Sequence, residues 1–231
     1  MIRPRQRRTL PPEEAYARWA DNYPPQPHNP LMRAEQGAMA PLVAGTTPLC
    51  ALDVGTGTGR YLPLLVAAGA RVAVGVDLSM SMLARQRRPA RLVCGDARRL
   101  PFRDGRFDVV TSSLMAGDLE RLDAWVEEAA RLLSPGGHLI YSDFHPSWAT
   151  ERWRRTFETA DGQSFEVPYF PHDLDDHLAA LESRAFDVQT IREPRLARSD
   201  RSAVGKRRRD LPIVVVIHAV KRGRPAFVGR R

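Results

Sequence analysis

A chain of 231 residues allows one large domain or two small ones at roughly 100–200 residues each. One domain of this size buries enough surface to fold without disulfides or a metal. Its 43% hydrophobic and 27% charged residues exclude wholesale disorder, and no apolar run approaches the ~18 residues of a membrane helix.

The net charge of +8 belongs to the ends of the chain. Residues 1–12 carry four arginines and no acid, and residues 219–231 carry five basic residues and no acid. Between them 26 basic residues face 27 acidic ones. A near-neutral body argues against nucleic acid as the main partner and leaves the two basic tails as the place where it would bind. The cluster Lys206 to Arg209 reads as part of a polar loop. The basic start leads into Pro11-Pro12-Glu13-Glu14 rather than the apolar stretch of a signal peptide. Cys50 and Cys94 lack zinc or disulfide spacing. The expectation is a cytoplasmic protein with no structural metal and no membrane segment.

In chain order, Glu13–Tyr23 reads as a helix, with Tyr16, Trp19, Ala20 and Tyr23 at helical spacing. Asn29-Pro30 caps a second helix running to about Val43. The period then changes. Leu49–Val54, Arg71–Val76, Arg91–Cys94, Phe107–Ser112 and His138–Ser142 are short apolar runs that read as buried strands. Helical patterns lie between them at Tyr61–Ala68, Ser79–Arg87 and Leu119–Leu133. Such alternation predicts a parallel sheet with helices on both faces. Residues 144–172 break it and read as an insertion with one helix and a hairpin. A helix at Asp173–Arg184 and strands at Phe186–Ile191 and Ile213–Val220 complete the pattern.

The informative stretch is Leu52-Asp53-Val54-Gly55-Thr56-Gly57-Thr58-Gly59-Arg60. A strand ends, alternate glycines make a tight turn, and a helix begins. Glycine suits such a turn because a Cβ would obstruct it and keep a ligand from the backbone. A dinucleotide fingerprint needs glycine where Arg60 stands, and a phosphate loop needs a following Gly-Lys-Ser/Thr. Both readings fail on spacing. Val74-Gly75-Val76-Asp77 places an acid 18 residues past Gly59, and Leu92-Val93-Cys94-Gly95-Asp96-Ala97 ends the third strand with another. An acid at Asp77 is placed to accept hydrogen bonds from both ribose hydroxyls of a nucleoside.

This order of signals resembles the class I S-adenosylmethionine-dependent methyltransferases. Leu100-Pro101-Phe102, Phe107-Asp108-Val109-Val110 and Ala129–Gly137 resemble them as well, and the likeness covers residues 14–143 closely. The resemblance implies a doubly wound, seven-stranded, mostly parallel Rossmann-like α/β sheet with its last strand antiparallel. Its expected strand order is third-second-first-fourth-fifth-seventh-sixth. It implies S-adenosylmethionine as cofactor, with Gly55, Thr56, Gly57 and Gly59 at the methionine end and Asp53 reaching the amino group. Asp77 would hold the ribose, Leu78 and Met82 would flank the adenosine, and Asp96 with Ala97 would meet the adenine. Ser113 would line the same site from the loop after the fourth strand. For Leu78 and Met82 a place in the helix core is the alternative, and for Asp77 a helix cap.

Tyr16–Tyr23 resembles the N-terminal helix of small-molecule members, including quinone-ring and acyl-carrier carboxyl methyltransferases. There it lids the cofactor, with a tyrosine at the position of Tyr23; the alternative is the buried stripe of a docked helix. Methyl transfer is an in-line displacement that depends mainly on holding the acceptor at attack distance. A base helps with phenols, hydroxyls and ammonium groups. His145, in the loop after the fifth strand, is the first candidate base and His172 the second; a loop-shaping or capping histidine is the alternative for each. The insertion aromatics Trp148, Trp153, Phe157, Phe165, Tyr169 and Phe170 would either roof an acceptor or form the insertion's own core. Asp118 and Asp143 alone do not make a metal site.

The reading is one domain: a basic tail at 1–12, a helical lid at 13–46, a cofactor-binding core at 47–143, an insertion over the substrate at 144–172, closing elements at 173–220 and a basic tail at 221–231. It is a methyltransferase acting on an O, N or C atom of a small molecule, as monomer or homodimer. An RNA methyltransferase using the tails and a non-catalytic cofactor-binding partner subunit are the alternatives.

Overall fold

The computed structural model describes residues 8–86, 91–159, 161–196 and 210–223. The chain opens with a two-residue strand, β1 (Arg8–Thr9), then α1 (Pro12–Trp19), a 3-10 turn at Ala20–Asn22 and α2 (Pro30–Ala44). An alternating series follows: β2 (Cys50–Val54), α3 (Leu62–Ala67), β3 (Val72–Asp77), α4 (Met80–Leu83), β4 (Arg91–Cys94), β5 (Phe107–Ser113), α5 (Leu122–Leu132) and β6 (Leu133–Phe144). The insertion holds α6 (Ser147–Thr150), β7 (Arg155–Glu158) and β8 (Ser164–Val167). The last elements are α7 (Leu174–Ser183), β9 (Phe186–Arg192) and β10 (Val214–Lys221).

The large sheet has the order β4-β3-β2-β5-β6-β10-β9. Strands β2 to β6 run parallel, and β10 is antiparallel to both its neighbours. This is the order and the antiparallel last strand expected from the sequence. Side chains alternate across it with the period of two that strand geometry imposes. Leu52, Val110, Leu139, Tyr141 and Ile217 face one core with Trp125 of α5 and Leu181 of α7. Ala51, Val109, Ile140, Val214 and Val216 face the other core with Met39 and Val43 of α2 and Leu65 of α3. Both faces are covered, so the strands read as continuous apolar runs.

Two elements differ most in length from their sequence pattern. The helix expected at Ser79–Arg87 is helical only at Met80–Leu83, with Arg87 outside the described residues. Ser79 Oγ accepts from the Met82 N–H and sets its start. β6 begins at Leu133 rather than His138, because Leu133 already pairs with Phe107 across a register shift before Val109. The insertion forms the expected hairpin, β7 antiparallel to β8.

The N-terminal segment corrects the tail reading. Arg8 and Thr9 pair in parallel with Phe165 and Glu166 of β8, and the Leu10 N–H donates to the Glu166 carbonyl at 3.1 Å. Leu10 is 4% exposed and shares a small core with Ala15, Phe157, Phe165 and Val167. Residues 8–10 are therefore packed structure. The arginines at 3, 5 and 7, the Lys206–Arg209 cluster and residues 224–231 lie outside the described residues.

Candidate active site

Two cavities of about 440 Å³ each open at the carboxyl ends of the parallel strands, the first beyond β2, β3, β4 and β5, the second beyond β5 and β6. That size lies within the roughly 300–1,000 Å³ of typical ligand pockets. Tyr16, Tyr23 and Leu114 line both, forming a shared wall.

The first cavity is built on the glycine turn. Gly55 and Gly57 have φ of +67° and +55°, in the left-handed region. A Cβ on Gly55 would come within 2.8 Å of the Met115 side chain. Glycine is required here by conformation and by space. The Asp77 carboxylate accepts from the Gly57 N–H through one oxygen and from the Ser79 N–H through the other, each at 2.8 Å. It holds the turn against the end of β3 and fixes Ser79, the residue that caps α4. Burial raises its pKa, and the two backbone N–H groups oppose that.

Nine of the twelve expected cofactor contacts line this cavity: Tyr23, Gly55, Gly57, Asp77, Leu78, Met82, Asp96, Ala97 and Ser113. Leu78 is 51% exposed at the rim, whereas Met82 is buried. Asp96 is gripped by the Arg98 guanidinium, which holds its carboxyl below the usual range. Among the described residues, no cluster of three or more potential metal ligands occurs.

Asp53, Thr56 and Gly59 do not line the cavity. Asp53 is buried, and its two oxygens accept from the Thr56 and Thr111 hydroxyls at 2.7 Å each. It braces the turn against β5 instead of facing a ligand. Burial raises its pKa to about 6 against the pull of those two hydroxyls. Gly59 has a φ of +81°, so glycine there serves the conformation of the turn.

Ser113 rests on a polar group that the sequence reading did not find. Glu35, fully buried on α2, accepts from Arg60 Nη1 at 2.7 Å, Tyr61 at 2.8 Å, Ser113 at 2.8 Å and Ser142 at 3.0 Å. The signal was present, since Glu35 falls on the helical stripe of Met32, Met39 and Val43 and a lone acid there demands partners.

The second cavity is aromatic and aliphatic, lined by Trp19, Phe144, Trp148, Trp153, Leu196 and Ile213 with Arg154 and Arg155. The insertion's aromatics divide between the two expected roles. Trp148 and Trp153 line this cavity and Phe170 lines the first, while Phe157 and Phe165 stack at 5.5 Å in the insertion's own core. Trp19 does both, stacking on Phe157 at 5.0 Å.

Neither candidate base lines either of these two cavities. His145 Nδ1 accepts from the Ser147 N–H at 3.0 Å, which leaves its proton on Nε2, 2.8 Å from Glu193 Oε1. His172 is buried, and its Nε2 donates to the Leu119 carbonyl at 2.9 Å. Both histidines hold loops.

The seven-stranded sheet thus places a ligand-sized cavity over the glycine turn. Residues 52–141 match the family described as the methyltransferase domain. The chain is 37% identical over 125 residues to a malonyl-[acyl-carrier protein] O-methyltransferase of Methylococcus capsulatus, covering 51% of this chain and 45% of that protein. It is 41% identical over 102 residues to a demethylmenaquinone methyltransferase of Beutenbergia cavernae, covering 42% of each. The chain thus spans less than half the length of these curated relatives. A crystal structure of an S-adenosylmethionine-dependent methyltransferase from Mesorhizobium loti shares the fold, with a TM-score of 0.67 at 22% identity over 81% of this chain and 98% of that one. Over residues 52–141 the chain is thus similar to methyltransferase domains, and its fold is that of S-adenosylmethionine-dependent methyltransferases.

Proposed function

We propose that the protein transfers a methyl group from S-adenosylmethionine to a small molecule held in the aromatic cavity. The observation that carries this is the pair of ligand-sized cavities meeting at one wall of Tyr16, Tyr23 and Leu114. In this reading Asp77 holds the ribose, Leu78 and Met82 flank the adenosine, Asp96 and Ala97 meet the adenine, and the Gly55–Gly57 turn takes the methionine end with Ser113 and Tyr23. When bound, S-adenosylmethionine supplies a methyl carbon already activated by its sulfonium. The chain's own part is to position the acceptor across the shared wall and exclude water with Tyr16, Trp19 and Tyr23.

A small acceptor is favoured over RNA because the second cavity is ringed by side chains and bounded by α1 and the insertion. The malonyl-carrier and demethylmenaquinone relatives are both named for acceptors other than nucleic acid. A cytoplasmic location is part of the reading. Both cysteines are free thiols, and among the described residues no helix is long and apolar enough to cross a membrane.

Calorimetric titration tests the cofactor half. S-adenosylhomocysteine should bind the full chain, and Asp77→Ala should weaken it by about 1.5–3 kcal/mol, the value of hydrogen bonds to a charged group. Binding of NADH in preference to S-adenosylhomocysteine would overturn the reading.

A further inference from the structure

Arg155, which lines the second cavity, has one donor that its packing leaves unpaired. It lies on β7 with its side chain 8% exposed. Its Nη2 donates to Asp118 and, at 2.7 Å, to the Pro168 carbonyl, and Nη1 donates to the Tyr16 hydroxyl at 3.2 Å. The Tyr16 hydroxyl in turn donates to the other Asp118 oxygen at 3.1 Å. Three elements far apart in sequence thus converge on one guanidinium, with the Phe144 ring centroid 5.4 Å from its central carbon. Yet its Nε–H is buried without a partner. A desolvated donor is costly to leave unpaired, and this one belongs to a residue that lines the acceptor cavity.

The same lining has a second property. Among the described residues it holds no Asp, Glu, His, Lys or Cys. Its two phenols, Tyr16 and Tyr23, have pKa values raised by burial, so neither is suited to accept a proton as phenolate. An acceptor that must lose a proton to react would find nothing there to take it. An acceptor that arrives ionised needs no base.

We infer that Arg155 recognises the acceptor, and that the acceptor is an apolar or aromatic molecule bearing an oxyanion, a carboxylate or a phenolate, as its methylated atom. This rests on the methyltransferase reading above. The oxyanion attacks the methyl carbon, the O–C bond forms as the C–S bond breaks, and the bonding pair returns to sulfur as a neutral thioether. No proton moves. Two opposite charges vanish in the step, so an enclosure that removes water favours it. Arginine suits the role because its planar N–H donors match an oxyanion and its weak hydration tolerates burial among rings.

The test is calorimetry on the full chain saturated with S-adenosylhomocysteine, using 2-naphthoate against methyl 2-naphthoate, and 4-nitrophenol above its pKa against 4-nitroanisole. At least one anion should bind about tenfold or more tighter than its neutral partner, as expected for a hydrogen bond to a charged group. Which pair shows the preference separates carboxylate from phenolate. Arg155→Met should erase the preference while leaving S-adenosylhomocysteine affinity within about threefold, since Arg155 lines only the acceptor side. Because that variant strands Asp118, Arg155→Met with Asp118→Asn is measured beside it, with folding checked by circular dichroism. Neutral partners that bind the wild type as tightly as both anions would overturn the inference. So would a folded variant that keeps the preference, or one that loses S-adenosylhomocysteine instead. If the wild type fails to bind S-adenosylhomocysteine, the methyltransferase reading fails, and the same anion preference measured without it still decides the role of Arg155.

Discussion

Asp143 and His177 show what burial does to two titratable groups that would pair in water. Asp143 Oδ1 accepts from the Gly117 N–H at 3.0 Å and the Phe144 N–H at 2.7 Å. Its Oδ2 and His177 Nε2 stand 3.6 Å apart, neither with another partner. Burial raises the Asp143 pKa to about 8 and lowers that of His177 to about 4, so both are neutral near pH 7. An acid with a raised folded pKa adds stability below its unfolded value of about 3.9 and loses it as pH rises through about 8. His177 acts oppositely, since its neutral folded form is penalised as pH falls from about 6.5 toward 4. Asp53, with a pKa near 6, contributes only below that value. Of these three, Asp143 alone changes stability above about pH 6.5, by up to ~2 kcal/mol before the effect levels off. Urea denaturation at about pH 6.5 and 8.5 should show wild-type stability falling by about this amount, and Asp143→Asn, which keeps the carbonyl acceptor, should flatten the fall. Parallel curves for the two proteins would refute the assignment.

The elements were legible in proportion to how fully local pattern decided them. The five parallel strands and helices α2, α5 and α7 follow from apolar runs, period and caps, such as Asn29 Oδ1 accepting the Met32 N–H at 2.8 Å. β1 was hidden because two residues carry no period; only the partner strand β8 makes them a strand. Arg155 was hidden in a different way. β7 alternates inward and outward, which puts Arg155 on the face of Phe157, yet an arginine beside a second arginine reads as a solvated pair. His145 and His172 read as bases because they are histidines near loop ends, but in the fold their nitrogens are committed to Glu193, Ser147 and Leu119. β1 also carries a prediction. Removing residues 1–10 should destabilise the protein by about 1.5–3 kcal/mol more than removing residues 1–7, the value of burying one leucine. It should also weaken S-adenosylhomocysteine, because Pro11 and Pro12 line the first cavity. Thermal melts and titration of both truncations check this, and indistinguishable truncations would contradict the docked role of Leu10.

On the scale of the whole molecule, the sheet delivers a glycine turn, two acids and Ser113 to one edge, while α1 and the insertion close over that edge from outside. The two layers meet at Tyr16, whose hydroxyl contacts Asp118 of the first cavity and Arg155 of the second. The central claim is that one cavity holds S-adenosylmethionine and the neighbouring one the acceptor. A crystal structure of the full chain with S-adenosylhomocysteine tests it most directly. The account predicts the ribose hydroxyls on Asp77, the adenine beside Leu78 and Ala97, and the sulfur facing the wall of Tyr16, Tyr23 and Leu114, with the aromatic cavity left open beyond it. Ligand density in the aromatic cavity instead, or a ribose held by residues other than Asp77, would contradict it.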